Sequence, residues 1–279
     1  MAADSRNGSF AGKTALVFGG SKGIGEATAR ILAASGARVF LVARGEADLE
    51  RVAEDIRRIA GQETVLGYYA CDATDEDSVD HLVSSFISSH GVPDYLLNVV
   101  GCAVPGYVQD LRLEDYRKAM ETNFFGQLIP TLSVLPHMVE RGSGHIAFTS
   151  SALGFMGVMG YATYAPTKYA LVGLAEVLRN ELQPKGLRFS VLFPPDTDTP
   201  GFAKENETKP AEWFATSASK LATPEQVASA FVDGLSRRRF YITPGQSSLL
   251  WRLARFAPRT LHWYADRELA AARKRLERA

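Results

Sequence analysis

Residues 14–25 read TALVFGGSKGIG: an apolar run of strand length that ends in a glycine-rich turn, and GEATARILAASG (25–36) continues it with apolar residues at helical period. Strand, glycine loop and helix in this order open a βαβ unit. Gly19, Gly23 and Gly25 follow the spacing G-x-x-x-G-x-G. Glycine lets the backbone turn sharply and come close to a pyrophosphate, whose charge is held by N–H groups at the helix N-terminus. Glycine turns also serve packing, but the position between strand and helix favours a dinucleotide site built from Gly19, Ser21, Lys22, Gly23, Ile24 and Gly25.

The alternation repeats along the chain. RVFLVAR (38–44) precedes ADLERVAEDIRRIAG (47–61), and VLGYYACD (65–72) precedes DEDSVDHLVSSFISSHG (75–91). DYLLNVVG (94–101), GHIAFTSS (144–151) and LRFSVLFP (187–194) are further strand candidates with helical stretches between them. Near-continuous apolar strands alternating with helices predict an α/β fold, a doubly wound parallel sheet of Rossmann type covered on both faces. The expected organisation is a tail over 1–11, a nucleotide-binding catalytic domain over 12–246 and a basic, amphipathic helical extension over 247–279. FYITPG (240–245) reads as the start of a segment of different character.

The 279 residues, 46% of them hydrophobic, suffice for one full core. A formal net charge of +0 argues against nucleic acid as a partner, although residues 237–279 carry 11 Lys and Arg against 3 Asp and Glu, so that end is +8 and the rest −8. Two cysteines, Cys71 and Cys102, suit a reducing compartment and read as small buried hydrophobes. No Cys or His spacing suggests a metal site. With no basic-plus-apolar leader and no spanning apolar run, the expected location is the cytoplasm or the cytoplasmic face of a membrane.

An acidic residue at the end of the second strand would bind a ribose 2′-hydroxyl and repel a 2′-phosphate; here stand Val42, Ala43 and Arg44. Arg44, with Lys22 in the glycine loop, can pair with a phosphate, which favours NADP(H). Asp72, ending the third strand, can accept from an adenine amino group or cap a helix. Asn98 and Gly101, in NVVG, are expected beside the adenine ribose.

Tyr164 and Lys168, in YAPTK, lie one helical turn apart on one face, and Pro166 restricts them to the first turn. An ammonium and a helix N-terminus both favour phenolate, so the pattern can make a phenol that exchanges protons readily. Ahead of it stand Ser150 and Ser151 at a strand end and Asn123 in NFFG. In their order GGSKGIG, NVVG, NFFG, TSS and YAPTK resemble the short-chain dehydrogenases/reductases over most of residues 12–202. The resemblance implies that Tyr164 is the general acid for ketone reduction and that Lys168 lowers its pKa and holds the nicotinamide ribose. It further implies that Ser151, preferred over Ser150 by spacing, donates to the substrate oxygen and that Asn123 anchors a proton relay through water. NVVG departs from the commoner NNAG, which touches the adenine ribose and not the reaction. Family members are often dimers or tetramers, so a homo-oligomer is expected.

PPDTDTPGF (194–202) leaves the strand LRFSVLF at the edge where open α/β sheets bind ligands. It places Pro195, Thr197 and Thr199 beside the nicotinamide, where the two hydroxyls can bond its carboxamide; Asp196 and Asp198 read as turn formers. With the following AKENETKP it resembles a group within that family, the 3-ketodihydrosphingosine reductases, which reduce 3-ketosphinganine with NADPH in sphingolipid synthesis. GFMGVMGY (154–161) offers apolar, flexible side chains suited to an acyl chain, or to plain core packing. The expected partner is therefore a lipophilic ketone. A steroid or β-ketoacyl reductase is the alternative within the class. A non-catalytic NADPH-binding membrane scaffold is the alternative outside it, against which the Asn, Ser, Tyr and Lys set speaks. SSLLWRLARF (247–256) spaces Leu249, Leu250, Leu253 and Phe256 helically with Arg252 and Arg255 between them, as for peripheral membrane association or for packing on the domain.

Overall fold

The computed structural model describes residues 10–216 and 221–278. Its seven strands are β1 (Thr14–Phe18), β2 (Arg38–Ala43), β3 (Val65–Ala70), β4 (Tyr95–Asn98), β5 (Gly144–Thr149), β6 (Leu187–Leu192) and β7 (Tyr241–Ile242). They form one parallel sheet in the order β3-β2-β1-β4-β5-β6-β7. The chain returns from β3 at one edge to β4 beside β1, so the order reverses between β1 and β4, and a crevice opens there at the strands' C-terminal ends.

The first six strands fall where the apolar runs put them. The seventh lies within FYITPG, which therefore closes the sheet and does not begin a separate unit. Only two of its residues pair, too short a stretch for a periodic signal.

The helices are α1 (Gly23–Ala34), α2 (Glu46–Ala60), α3 (Glu76–His90), α4 (Leu113–Met120), α5 (Gly126–Arg141), α6 (Ala165–Leu182), α7 (Pro200–Glu205), α8 (Ala211–Ala215), α9 (Pro224–Ser236), α10 (Ser247–Phe256) and α11 (Pro258–Leu276). The core on one face of the sheet joins Leu32, Leu49, Val52 and Phe231 from α1, α2 and α9 to Val17 and Leu41. On the other face Leu82, Val134 and Leu171 from α3, α5 and α6 meet Leu16, Phe148 and Val191. With both faces covered, β1 is buried at every residue, as its unbroken apolar run requires.

Residues 1–9 of the expected N-terminal tail lie outside the described residues. Phe10 does not behave as tail: it is 0% exposed and stacks on Tyr95. Beyond β7, Leu261 and Ala272 of α11 are buried, and Arg275 donates to the Ala215 carbonyl next to α8.

Candidate active site

The glycine loop is shaped by what its glycines lack. A Cβ on Gly25 would lie 2.0 Å from the Gly19 carbonyl oxygen, and one on Gly19 would lie 2.7 Å from that of Val99, across the crevice. Gly19 and Gly23 also hold φ of +83° and +54°, conformations that side chains disfavour. The turn therefore brings β1, α1 and the end of β4 together through backbone alone. Lys22, the N-cap of α1, places no side chain on the first N–H groups, which leaves them to an anion. These features fit a dinucleotide pyrophosphate. Ile24 packs partly into the core, and the Ser21 carbonyl accepts from Arg51 at 3.3 Å, a second cation at the loop that its place in the middle of α2 concealed.

Arg44 stands exposed after β2 and makes no ion pair among the described residues. Lys22 is engaged with Asp48 at 2.7 Å, so the two cations are not equivalent. Asp72 folds back on its own turn, accepting from the Thr74 amide at 3.0 Å and hydroxyl at 2.9 Å, and the cap of α3 is Asp75.

Asn98 does not line the crevice. It is 0% exposed and donates from Nδ2 to the Thr131 hydroxyl on α5 at 3.0 Å, because the alternation of β4 turns its side chain under the sheet. The expected ribose contact is therefore not available to it. Gly101 does face the site: a Cβ there would lie 2.8 Å from Lys168 Nζ and 2.9 Å from Asn123 Oδ1.

Asn123 sits in a π-helical turn, Glu121–Phe125, between α4 and α5, a form found often at functional sites. Fully buried, it grips the Cys102 backbone from both sides, accepting from the amide at 2.8 Å and donating to the carbonyl at 2.9 Å. One turn on, Gln127 donates to the carbonyls of Val100 at 2.8 Å and Thr149 at 3.0 Å and accepts from the Thr149 amide. These two amides bind the ends of β4 and β5 together, and Gln127 carried no signal in the sequence. Cys102 itself is exposed at this rim, unlike buried Cys71.

The two serines after β5 divide. Ser150 is buried and donates to the Lys168 carbonyl at 2.9 Å, a packing role that Gly154 permits by lacking a Cβ. Ser151 shares a hydrogen bond with Tyr164 and accepts from the Leu153 amide at 3.1 Å. Lys168, 2% exposed, donates to the Thr149 carbonyl at 3.0 Å and lies 5.3 Å from the centre of the Tyr164 ring.

Burial outweighs the effects expected to favour phenolate. It lowers the Lys168 ammonium to about 7, while burial, followed by the charge of Glu205, raises the Tyr164 phenol well above its ordinary value against the opposing bond from Ser151. At neutral pH Tyr164 holds its proton.

In the loop after β6, Pro195 accepts through its carbonyl from the Thr197 hydroxyl at 2.7 Å, and Thr197 is 5% exposed, so that hydroxyl proton is spent within the turn. Thr199 caps α7, accepting from the Phe202 amide at 3.1 Å, and its methyl would lie 2.9 Å from a Cβ on Gly23. Of the two threonines, Thr199 is thus the one against the glycine loop.

A family model for short chain dehydrogenases matches residues 13–210. The chain belongs to the short-chain dehydrogenase family. Within it, a 3-ketodihydrosphingosine reductase of Dictyostelium discoideum is 38% identical, over 83% of this chain and 74% of its own. A 3-dehydrosphinganine reductase of Danio rerio is also 38% identical, over 82% and 70%. A solved short-chain alcohol dehydrogenase from Thermococcus sibiricus, in complex with 5-hydroxy-NADP, superposes with a TM-score of 0.69 at 26% identity, covering 80% of this chain and 90% of that one.

Proposed function

We propose that the protein is an NADPH-dependent reductase of 3-ketosphinganine, the reaction its sphingoid-reductase relatives are named for. The observation that carries the chemistry is the convergence of Ser151, Tyr164 and Lys168 at the C-terminal ends of the strands, across from the glycine loop. Bound NADPH supplies the hydride that becomes the carbinol C–H. Ser151 and Tyr164 hold the ketone oxygen between two hydroxyls, and Tyr164 gives it a proton as charge develops. Lys168, already near its titration point, stabilises the phenolate that results. Asn123 and Gln127 keep β4 and β5 at the separation this requires, so Asn123 acts here through the backbone it grips. Exposed Arg44 is the natural partner of a 2′-phosphate, and the NADP-derivative complex of the archaeal relative supports that choice.

The test is NADPH oxidation against a ketone panel containing 3-ketosphinganine, steroid ketones and β-ketoacyl compounds, with Tyr164→Phe alongside. Turnover is expected to be best with the sphingoid ketone and to fall about 10²–10⁴-fold in the variant while NADPH still binds. Equal turnover in the variant would remove Tyr164 from the mechanism, and preference for another ketone would remove the substrate.

The membrane reading rests on the outer face of the last two helices. Leu249, Phe256, Trp263 and Tyr264 are 64%, 80%, 58% and 54% exposed, with Arg252, Arg255 and Arg259 exposed among them. No helix is long and apolar enough to cross a membrane among the described residues. This face suits docking on an anionic bilayer from one side, at its cytoplasmic surface, which would deliver an insoluble ketone. Because α11 also carries α8, the test is the double variant Leu249→Ser, Phe256→Ser and not truncation. It is expected to lose co-sedimentation with phosphatidylserine vesicles and keep its turnover of dispersed substrate; unchanged co-sedimentation would exclude the surface.

A further inference from the structure

Past Thr199, helix α7 runs from the glycine loop to the far side of the catalytic tyrosine and ends on Glu205. The Glu205 carboxylate accepts from the Tyr161 hydroxyl at 2.5 Å and pairs with Lys209 at 3.0 Å. Tyr161 and Tyr164 are neighbours, with ring centres 6.1 Å apart. The pair is nearly dry, its side chains 16% and 6% exposed, and the Lys209 ammonium rests 3.9 Å from the centre of the Phe202 ring.

A buried ion pair stabilises a fold little, since desolvation consumes most of the attraction, and apolar residues of the same size serve as well or better. Its place beside the reacting tyrosine needs another account. Both interactions fall on one oxygen, Oε1, and Oε2 takes part in neither. The negative charge also reaches the substrate side of the site: Glu205, and after it Asp196, raise the Tyr164 phenol. A neutral ketone draws nothing from a carboxylate there.

We propose that Glu205, held by Tyr161 and Lys209, is the specificity residue that binds a cationic amino group on the carbon next to the substrate ketone, accepting from it through Oε2. The inference rests on the sphingoid-ketone reading, because 3-ketosphinganine carries such an amine beside its carbonyl. With the amine on Glu205 and the carbonyl oxygen on Ser151 and Tyr164, the reacting carbon has two fixed points, and its apolar chain needs only a slot.

The experiment compares 3-ketosphinganine with the amine-free 1-hydroxy-3-ketone of the same chain length, in wild type, Glu205→Gln and Glu205→Asp, with NADPH binding measured on each protein. Wild type is expected to favour the amino ketone by about tenfold or more in kcat/KM. Glu205→Gln should abolish that preference, chiefly through KM for the amino ketone, and Glu205→Asp should fall between. Wild type reducing both ketones equally well overturns the ammonium site and leaves the long-chain reductase reading intact. Wild type reducing neither overturns the substrate reading and the ammonium site with it. A Glu205→Gln variant that binds NADPH and loses both activities in the same proportion assigns Glu205 to packing alone.

Discussion

Around the glycine loop the decisive positions are those where a side chain would collide, as at Gly25 against the Gly19 carbonyl and at Gly19 against Val99. Across the site, residues 154–216 are held by side-chain pairs whose members lie far apart in sequence. Tyr107 donates to Glu212 at 2.6 Å, Arg273 of α11 approaches the same carboxylate at 3.5 Å, Tyr161 reaches Glu205, and Trp213 donates to the Met159 carbonyl at 3.0 Å. A rim made of backbone suits a ligand whose pyrophosphate never changes. A rim made of side chains can be altered one residue at a time with the sheet untouched, which is where a family of reductases can vary its substrates.

The contrast breaks most severely if Gly25→Ala is harmless. Its Cβ must displace the Gly19 carbonyl, so NADPH affinity is expected to fall about 100-fold or more, with on the order of 1–3 kcal/mol of stability. Fluorescence titration and thermal unfolding would read both, and a normal Kd would show that the loop has slack.

Arg44→Ala sharpens the comparison, because it asks whether one side chain on the backbone-built rim selects the cofactor. KM for NADPH should rise roughly 10–100-fold, the worth of a charge-assisted bond, while KM for NADH stays level. Lys22→Ala should do less, since Asp48 already engages that ammonium. Equal changes for the two cofactors would make Arg44 a surface cation only.

The smallest effect concerns Lys168, where the rims meet. Burial lowers its ammonium from the ordinary 10.5 to about 7. Below pH 7 the folded protein bears the full cost of a buried charge; between about 7 and 10.5 it sheds the proton that the unfolded chain keeps, so stability recovers as pH rises. Lys168→Met should therefore change Tm more favourably at pH 6 than at pH 9, by a few degrees. The same shift at both values would mean that the ammonium is solvated in the folded state.

The backbone-built rim was legible in the sequence for a physical reason: strand, turn and helix are local, and glycine spacing reports a local conformation. Six strands and the Tyr164–Lys168 turn followed from the same periodicities. Asn98 was misplaced because a strand end presents alternate residues to opposite sides, and the motif does not say which side faces the ligand. Glu205 and Lys209 stand in a polar run, FAKENETKP, that looks solvated, and only the folding of α7 over Tyr161 makes them a dry pair. Tyr107, Glu212 and Arg273 meet across more than 160 residues of chain, beyond any periodic signal.

The π-helical turn at Glu121–Phe125 makes segment length a constraint in its own right. Chain from Leu113 to Arg141 runs through it as one helical rod, and the wide turn holds one residue more than an α-helix would. Deleting any single residue there would let ordinary α-geometry close up and turn everything downstream by roughly 100° about the axis. Gln127 and Thr131 would swing away from Val100, Thr149 and Asn98 together, though neither had been substituted. Insertions and deletions should therefore be tolerated in this segment far less well than substitutions at its exposed positions, so that the rod works as a phase-setter whose residue count matters more than its composition.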